Sequence, residues 1–193
     1  MNVAILKYNA GNTQSVIYAL NRLGIEPIVT DSAEELANAD KVIFPGVGEA
    51  STAMNFLYNK NLSEVIKGLK QPVLGICLGL QLLCEYSEEN DTKGLGIFPI
   101  TVKRFPAKDK VPHMGWNNIF DLRGPLYKNM DALEYTYFVH SYYAEMSEYT
   151  SATSDYILPF SAGLQKDNFY AVQFHTEKSS TAGAKILKNF LDL

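Results

Sequence analysis

The stretch QPVLGICLGLQLLCEY, residues 71–86, decides the fold. Its first part, QPVLGI, reads as an apolar strand, and LGLQLLCEY reads as a helix that follows without a linker. A strand turning directly into a helix is the joint of a βα unit. The segments before it repeat the alternation. NVAIL (2–6) reads as a strand followed by a Gly/Asn loop, KYNAGN. TQSVIYALNRLG (13–24) sets Val16, Leu20 and Leu23 on one helical face and ends in Gly24. EPIVT is a second strand, and DSAEELANA opens with the caps Asp31 and Ser32 and an acidic first turn. KVIFPGVG is a strand running into a glycine loop, with a helical stretch around STAMNFLYN. Continuous apolar strands between helices predict a mainly parallel sheet covered on both faces.

From about residue 94 the texture changes to Gly-, Pro- and aromatic-rich strands: GLGIFPITVKRF, PHMGWNNIF and YTYFVHSYYAE. SAGLQKDNFYAVQF predicts a hairpin turning at Lys166, Asp167 and Asn168. TAGAKILKNFLDL is amphipathic, with Ile186, Leu187, Phe190 and Leu191 to bury. The expectation is one α/β domain over 1–193, three-layered, with an antiparallel β extension. The 193 residues, 47% hydrophobic and 20% charged, suit a globular chain with a full core. A net charge of −4 with scattered Lys and Arg gives no reason to expect nucleic acid or an anionic membrane as partner. No spanning segment, signal peptide or metal motif is read, and two cysteines suit a reducing cytoplasm.

The two cysteines, Cys77 and Cys84, pose the functional question. If both lie on one helix, seven residues separate their Cα atoms by roughly 10 Å, beyond the ~7 Å a disulfide bridges. A metal pair lacks zinc spacing and a second ligand pair. Cys84, inside LQLLCEY, reads as a buried apolar residue. Cys77 sits where strand passes into helix, between Gly75 and Gly79, as a nucleophile does in a tight strand–turn–helix elbow. A helix N-terminus also favours a thiolate. A small hydrophobe in a buried βα turn fits the same residues.

A nucleophile needs a base. His175 in YAVQFHTEKS has Glu177 two residues on, so an extended backbone points both side chains the same way, as a base and its orienter require. His113 and His140 have no carboxylate at such spacing and read as structural or binding residues. PGVG (45–48) lacks the third glycine of a dinucleotide loop and the GK[ST] of a nucleotide loop. It can expose backbone N–H groups of the kind a tetrahedral oxyanion needs; a plain βα turn is the alternative.

Taken together, PGVG, GICLGLQ (75–81) and QFHTEKS (173–179), in that order, resemble class I glutamine amidotransferases, from residue 2 to residue 193. Within that class VPHMGWN (111–117), GLGIFPITVKRF (94–105) and the EKS after the histidine look most like the glutaminase subunits of imidazole glycerol phosphate synthase. The chain departs at Thr176, usually Pro, and in KYNAGN, where relatives commonly have Asp-Tyr-Gly.

The resemblance implies a class I glutamine amidotransferase-like (flavodoxin-like) fold with Cys77 as nucleophile, His175 as general base and then acid, and Glu177 as orienter. Oxyanion donors would come from Gly46, Val47, Gly48 and Leu78, and substrate contacts from Gln81, Glu89, Ser141 and Tyr142. Glu85 and Glu88 rival Glu89. Met114, Trp116 and Lys178 would face a partner, a (β/α)8-barrel cyclase forming a heterodimer, to which ammonia from glutamine is channelled for histidine biosynthesis. That all 193 residues are taken up by the glutaminase points the same way. No cofactor is expected. The alternatives are the same chemistry serving another synthase, such as one for surface-sugar amidation, another Cys–His enzyme, and a catalytically silent interaction subunit.

Overall fold

The computed structural model describes residues 1–10 and 12–193; Gly11, in the KYNAGN loop, lies outside the described residues. The first half runs β1 (Val3–Leu6), α1 (Thr13–Arg22), β2 (Ile28–Thr30), α2 (Ala33–Asn38), β3 (Lys41–Gly46), α3 (Ala50–Asn59), α4 (Leu62–Gly68), β4 (Val73–Cys77) and α5 (Leu78–Leu83). Ser32 caps α2 by accepting from the Glu35 N–H, as its sequence predicts. The second half runs β5 (Cys84–Ser87), β6 (Thr92–Lys93), β7 (Phe98–Arg104), β8 (His113–Ile119), β9 (Glu134–His140), β10 (Tyr142–Ala144), β11 (Thr150–Tyr156), β12 (Leu158–Lys166), β13 (Phe169–Val172) and α6 (Ser180–Leu191).

The main sheet has the order β2-β1-β3-β4-β13-β12-β10-β7-β5-β6, with β11 added on β12. The contacts β2–β1–β3–β4–β13 are all parallel; β13 then turns into β12 as the expected hairpin, with Lys166 opposite Phe169. Alternate side chains along the parallel strands feed two cores. Ala4, Leu6, Val42, Phe44 and Val73 pack against α2 to α5. Val3, Ile5, Ile43, Leu74 and Ile76 pack on the opposite face against α1 and α6, where Ile186, Leu187, Phe190 and Leu191 are buried. Each fully buried Leu, Ile or Phe contributes roughly 1.5–3 kcal/mol. No helix among the described residues is long and apolar enough to cross a membrane.

Three expectations are corrected. The helix after Cys77 ends at Leu83, and Cys84 begins β5 rather than continuing it. The carbonyls of Leu82, Leu83, Cys84 and Glu85, which a longer helix would pair with its own later N–H groups, instead accept from Leu95, Ile97, Gly96 and Gly94. Helical rise therefore does not separate the two cysteines, although both are buried free thiols. YTYFVHSYYAE is two strands: β9 pairs with β8 in a separate two-stranded sheet, while β10 pairs with β7 and β12. Ser141 breaks it, and its carbonyl accepts from the Phe105 N–H. Thr176–Lys178 is a turn of 3-10 helix, so an extended backbone is not what brings His175 and Glu177 together.

Candidate active site

Cys77 stands at the carboxyl end of β4, where a parallel α/β sheet presents its ligand crevice. The register places Gly46 of β3 opposite it on one side. On the other, Val172 of β13 pairs with Ile76, so the next residue, Gln173, comes beside Cys77. Cys77 has φ 55° and ψ −107°, outside the ordinary regions for a side-chain-bearing residue. Such strain costs of order 1–3 kcal/mol and persists only when the surroundings hold it. The flanking glycines supply the holding. A Cβ on Gly79 would lie 1.9 Å from the Phe44 carbonyl oxygen, and one on Gly75 would lie 2.8 Å from Leu83 Cδ1. The elbow is thus pressed flat between β3 and its own helix.

His175 is fixed from several directions. Its N–H donates to the Tyr137 carbonyl (2.9 Å), and its own carbonyl accepts from Ser179 Oγ (2.6 Å). Nδ1 meets Glu177 Oε1 at 2.7 Å, with both side chains nearly sealed from solvent at 2% and 3% exposure. The carboxylate accepts, so Nδ1 carries the hydrogen and Nε2 faces the cavity. Burial alone would push His175 down. The Cys77 sulfur and the Glu177 carboxylate outweigh it and raise the imidazole to about 10. Nε2 nevertheless lacks a hydrogen-bond partner of good geometry among the described residues, as does Glu177 Oε2. The chemistry available is proton exchange between a buried thiol and an oriented imidazole.

These groups open on a cavity of about 310 Å³ whose wall includes Cys77, His175, Val47, Gly48 and Leu78. Gly48 has φ +113°. No described residue accepts a hydrogen bond from the N–H of Val47 or of Gly48, and Leu78 is the first residue of α5, whose N–H has no helical partner. Gly46 is not at the wall: it is buried in β3, its Cα facing the Tyr8 hydroxyl and Leu78. Gln81, Glu89, Ser141 and Tyr142 also line the cavity. Gln81 Nε2 donates to the Tyr142 carbonyl (3.0 Å) and to Gln173 Oε1 (3.1 Å). Glu89 accepts from the Ala50 N–H at 2.8 Å, and burial raises its carboxyl. Glu85 and Glu88 are exposed, away from the wall.

His113 and His140 form a buried pair, Nδ1 to Nε2 at 3.0 Å, with His140 Nδ1 on the Tyr142 carbonyl at 2.7 Å. Burial pushes them down to about 4 and about 3, so both are neutral near pH 7 and His140 reaches the cavity wall as a neutral ring. Met114 and Trp116 sit on the outer face of β8 and are 63% and 54% exposed. Trp116 packs edge-on against Tyr137 of β9, and Lys178 Nζ lies 5.9 Å from the same ring. Two of the three residues expected at a partner surface therefore meet at one tyrosine, outside the core, and Met114 lies two positions along β8 from Trp116, opposite Val139. Gln173 carried no sequence assignment. Its signal was an amide inside the apolar run YAVQF, two residues before His175.

A model of the class I glutamine amidotransferase family matches residues 4–193. Imidazole glycerol phosphate synthase subunit HisH of Bacteroides fragilis is 60% identical over 196 residues, covering all of both chains. The subunit of that name from Bacteroides thetaiotaomicron is 57% identical, and that from Buchnera aphidicola 44%, each again over the whole of both chains. Among solved structures, a glutamine amidotransferase superposes with TM-score 0.76 at 21% identity, covering 98% of this chain and 97% of that one. PurLQS from Thermotoga maritima superposes with TM-score 0.74 at 14% identity, covering 99% and 97%. At such identities the two structures speak to the fold alone.

Proposed function

The chain belongs to the class I glutamine amidotransferase family, and from that premise we propose that it is the glutaminase subunit of an imidazole glycerol phosphate synthase, acting in histidine biosynthesis. In this reading residues 1–193 form one glutamine amidotransferase domain. The observation that carries the chemistry is the strained Cys77 on one cavity wall, with His175, held by Glu177, opening on the same cavity.

The sulfur of Cys77 attacks the side-chain amide carbon of glutamine, and the carbonyl oxygen becomes an oxyanion facing the N–H groups of Val47, Gly48 and Leu78. His175, holding the thiol proton on Nε2, passes it to the amide nitrogen. The C–N bond breaks, ammonia leaves and a thioester remains. Water, deprotonated by His175, then attacks the thioester, releases glutamate and returns the proton to sulfur, so the sum is glutamine plus water to glutamate plus ammonia. Glu177 keeps the ring in the tautomer both halves need. Glu89 suits the substrate's ammonium group, and Gln81, Ser141 and Tyr142 the rest of the amino-acid end.

Ammonia released into water at neutral pH is mostly ammonium and no longer a nucleophile, so productive use needs a dry route to an acceptor. The partner in this reading is a (β/α)8 cyclase, docked on the face that carries Met114, Trp116 and Lys178, and the pair works in the cytoplasm. Gly48 makes the PGVG loop the natural gate, because turning one peptide there aims or removes an oxyanion donor. The test is glutamate release by the purified chain, alone and with the cyclase and its ligand. Low release alone and a rise of at least tenfold in the complex are expected. Full turnover by the chain alone overturns the gate, and no glutamate in either case overturns the function.

A further inference from the structure

We infer that Gln173 belongs to the nucleophilic site: its single side-chain amide donates a hydrogen bond to the Cys77 sulfur and holds Gln81 in place. The inference rests on Cys77 being the nucleophile. Gln173 is fully buried, with Nε2 at 3.7 Å from Cys77 Sγ and Oε1 at 3.1 Å from Gln81 Nε2. Its backbone N–H continues the β13 ladder by donating to the Ala162 carbonyl at 2.8 Å, which fixes where the side chain starts.

An amide's oxygen and nitrogen can exchange places, so the direction of this contact has to be derived. The carbonyl of Tyr142 settles it, because a carbonyl only accepts. It lies 3.0 Å from the Gln81 amide, so Gln81 must turn its NH₂ toward it. The second hydrogen of that NH₂ points to Gln173, which must therefore present its oxygen there. The nitrogen of Gln173 is then left facing sulfur. Flipping Gln173 alone sets two donors against each other, and flipping both amides sets the Gln81 oxygen against the Tyr142 carbonyl. The same carbonyl accepts from His140 Nδ1 at 2.7 Å, which makes His140 Nε2 an acceptor for His113 Nδ1. His113 Nε2 in turn accepts from Asn117 Nδ2 at 3.3 Å, and that amide also donates to the Asp155 carbonyl at 3.0 Å. Every direction in this chain agrees, and its last donor is aimed at Cys77.

A donor fixed on sulfur favours the thiolate over the thiol, and it leaves the sulfur attached to a rigid strand while His175 moves its proton. The other titratable groups around the sulfur are His175 with Glu177, His140 and Glu89 on the cavity wall, and Tyr8, whose hydroxyl donates to the Pro45 carbonyl at 2.7 Å. None of them is altered by substituting Gln173.

The test is the pH dependence of Cys77 alkylation by iodoacetamide, in a Cys84→Ala background so that one thiol reports. Gln173→Met keeps the volume and removes both polar atoms. Gln173→Glu keeps an acceptor for Gln81 but turns an oxygen toward the sulfur. The alkylation midpoint should rise by about one to two pH units in Gln173→Met, the size of one hydrogen bond to a charged group, and by more in Gln173→Glu. KM for glutamine should rise more in Gln173→Met than in Gln173→Glu, a crossed pattern that packing alone does not produce. Folded variants with unchanged midpoints overturn the inference and leave the glutaminase reading standing. Shifted midpoints in a chain without glutaminase activity do the reverse. If neither variant folds, the Gln173 side-chain amide resonances decide: they should differ between the unsubstituted chain and Cys77→Ala, and identical positions overturn the contact.

Discussion

Alanine in place of Gly79 tests whether the elbow is held by contact between α5 and β3. Its Cβ would lie 1.9 Å from the Phe44 carbonyl oxygen and 3.0 Å from that carbonyl carbon. Both atoms belong to the backbone of a central strand, so no side chain can swing away, and the helix must retreat by about an ångström in a close-packed interior. Overpacking of this kind costs about 1–3 kcal/mol, and occasionally more. The helix-propensity gain of Gly to Ala, at most about 1 kcal/mol, does not offset it. Because the clash is with rigid backbone the cost falls at the upper end of that range, so the net loss is about 2 kcal/mol, which lowers the melting temperature of a chain this size by about 4–8 °C. Gly68, the last residue of α4, has open space where its Cβ would go. There the same substitution should stabilise by about 0.4–1 kcal/mol through the unfolded chain. Urea and thermal unfolding of the two variants side by side measure opposite signs for one chemical change. A Gly79→Ala chain as stable as the parent refutes the reasoning.

Glu177→Gln should lower kcat/KM by about 10- to 150-fold, from the loss of a hydrogen bond to an ionised group, while circular dichroism stays that of the parent. His175 is raised in the folded chain, so the stability it contributes is complete below its unfolded value, near pH 6.5, and is lost as pH rises toward about 10. Urea midpoints across that window should fall less in Cys77→Ala, which lacks one of the two groups that raise the ring. Thr176→Pro should stabilise by about 0.4–1 kcal/mol and keep activity. The Thr176 hydroxyl is buried without a partner among the described residues, the residue opens a 3-10 turn, and His175 before it has ψ 104°, which a following proline accepts. Trp116→Ala should leave the chain's own stability within about 0.5 kcal/mol, as exposed substitutions do, yet weaken cyclase binding in a titration at least tenfold.

The parallel half of the fold was legible because its strands are apolar runs and its helices carry one buried face, as Val16 and Leu20 do in α1. The second half hid more. β11 reads TSATSDY, and its buried Ser151, Thr153 and Ser154 leave no hydrophobic alternation to detect. Cys84 looked helical because LQLLC is apolar but for Gln81, and only the 94–97 segment, reached after β5 and β6, claims the carbonyls that end the helix. Separated from α3 by only two residues, α4 follows Asn61 in a left-handed turn, which a periodic pattern does not announce. Cys77 was legible from its glycines and His175 from its carboxylate, both local signals. Gln173 was not, since its contact with Cys77 follows from the pairing of β13 with β4, 96 positions apart.

The most direct measurement pairs this chain with the proposed cyclase and compares the nitrogen sources of the proposed two-subunit synthase. With Cys77→Ala, synthesis of imidazole glycerol phosphate from glutamine should vanish, while synthesis from added ammonium salt should continue at the parent's rate, because the cyclase needs ammonia and not the thiol. Cys84→Ala should retain both. Glutamine-dependent synthesis that survives the loss of the Cys77 sulfur contradicts the assignment of the nucleophile and everything built on it.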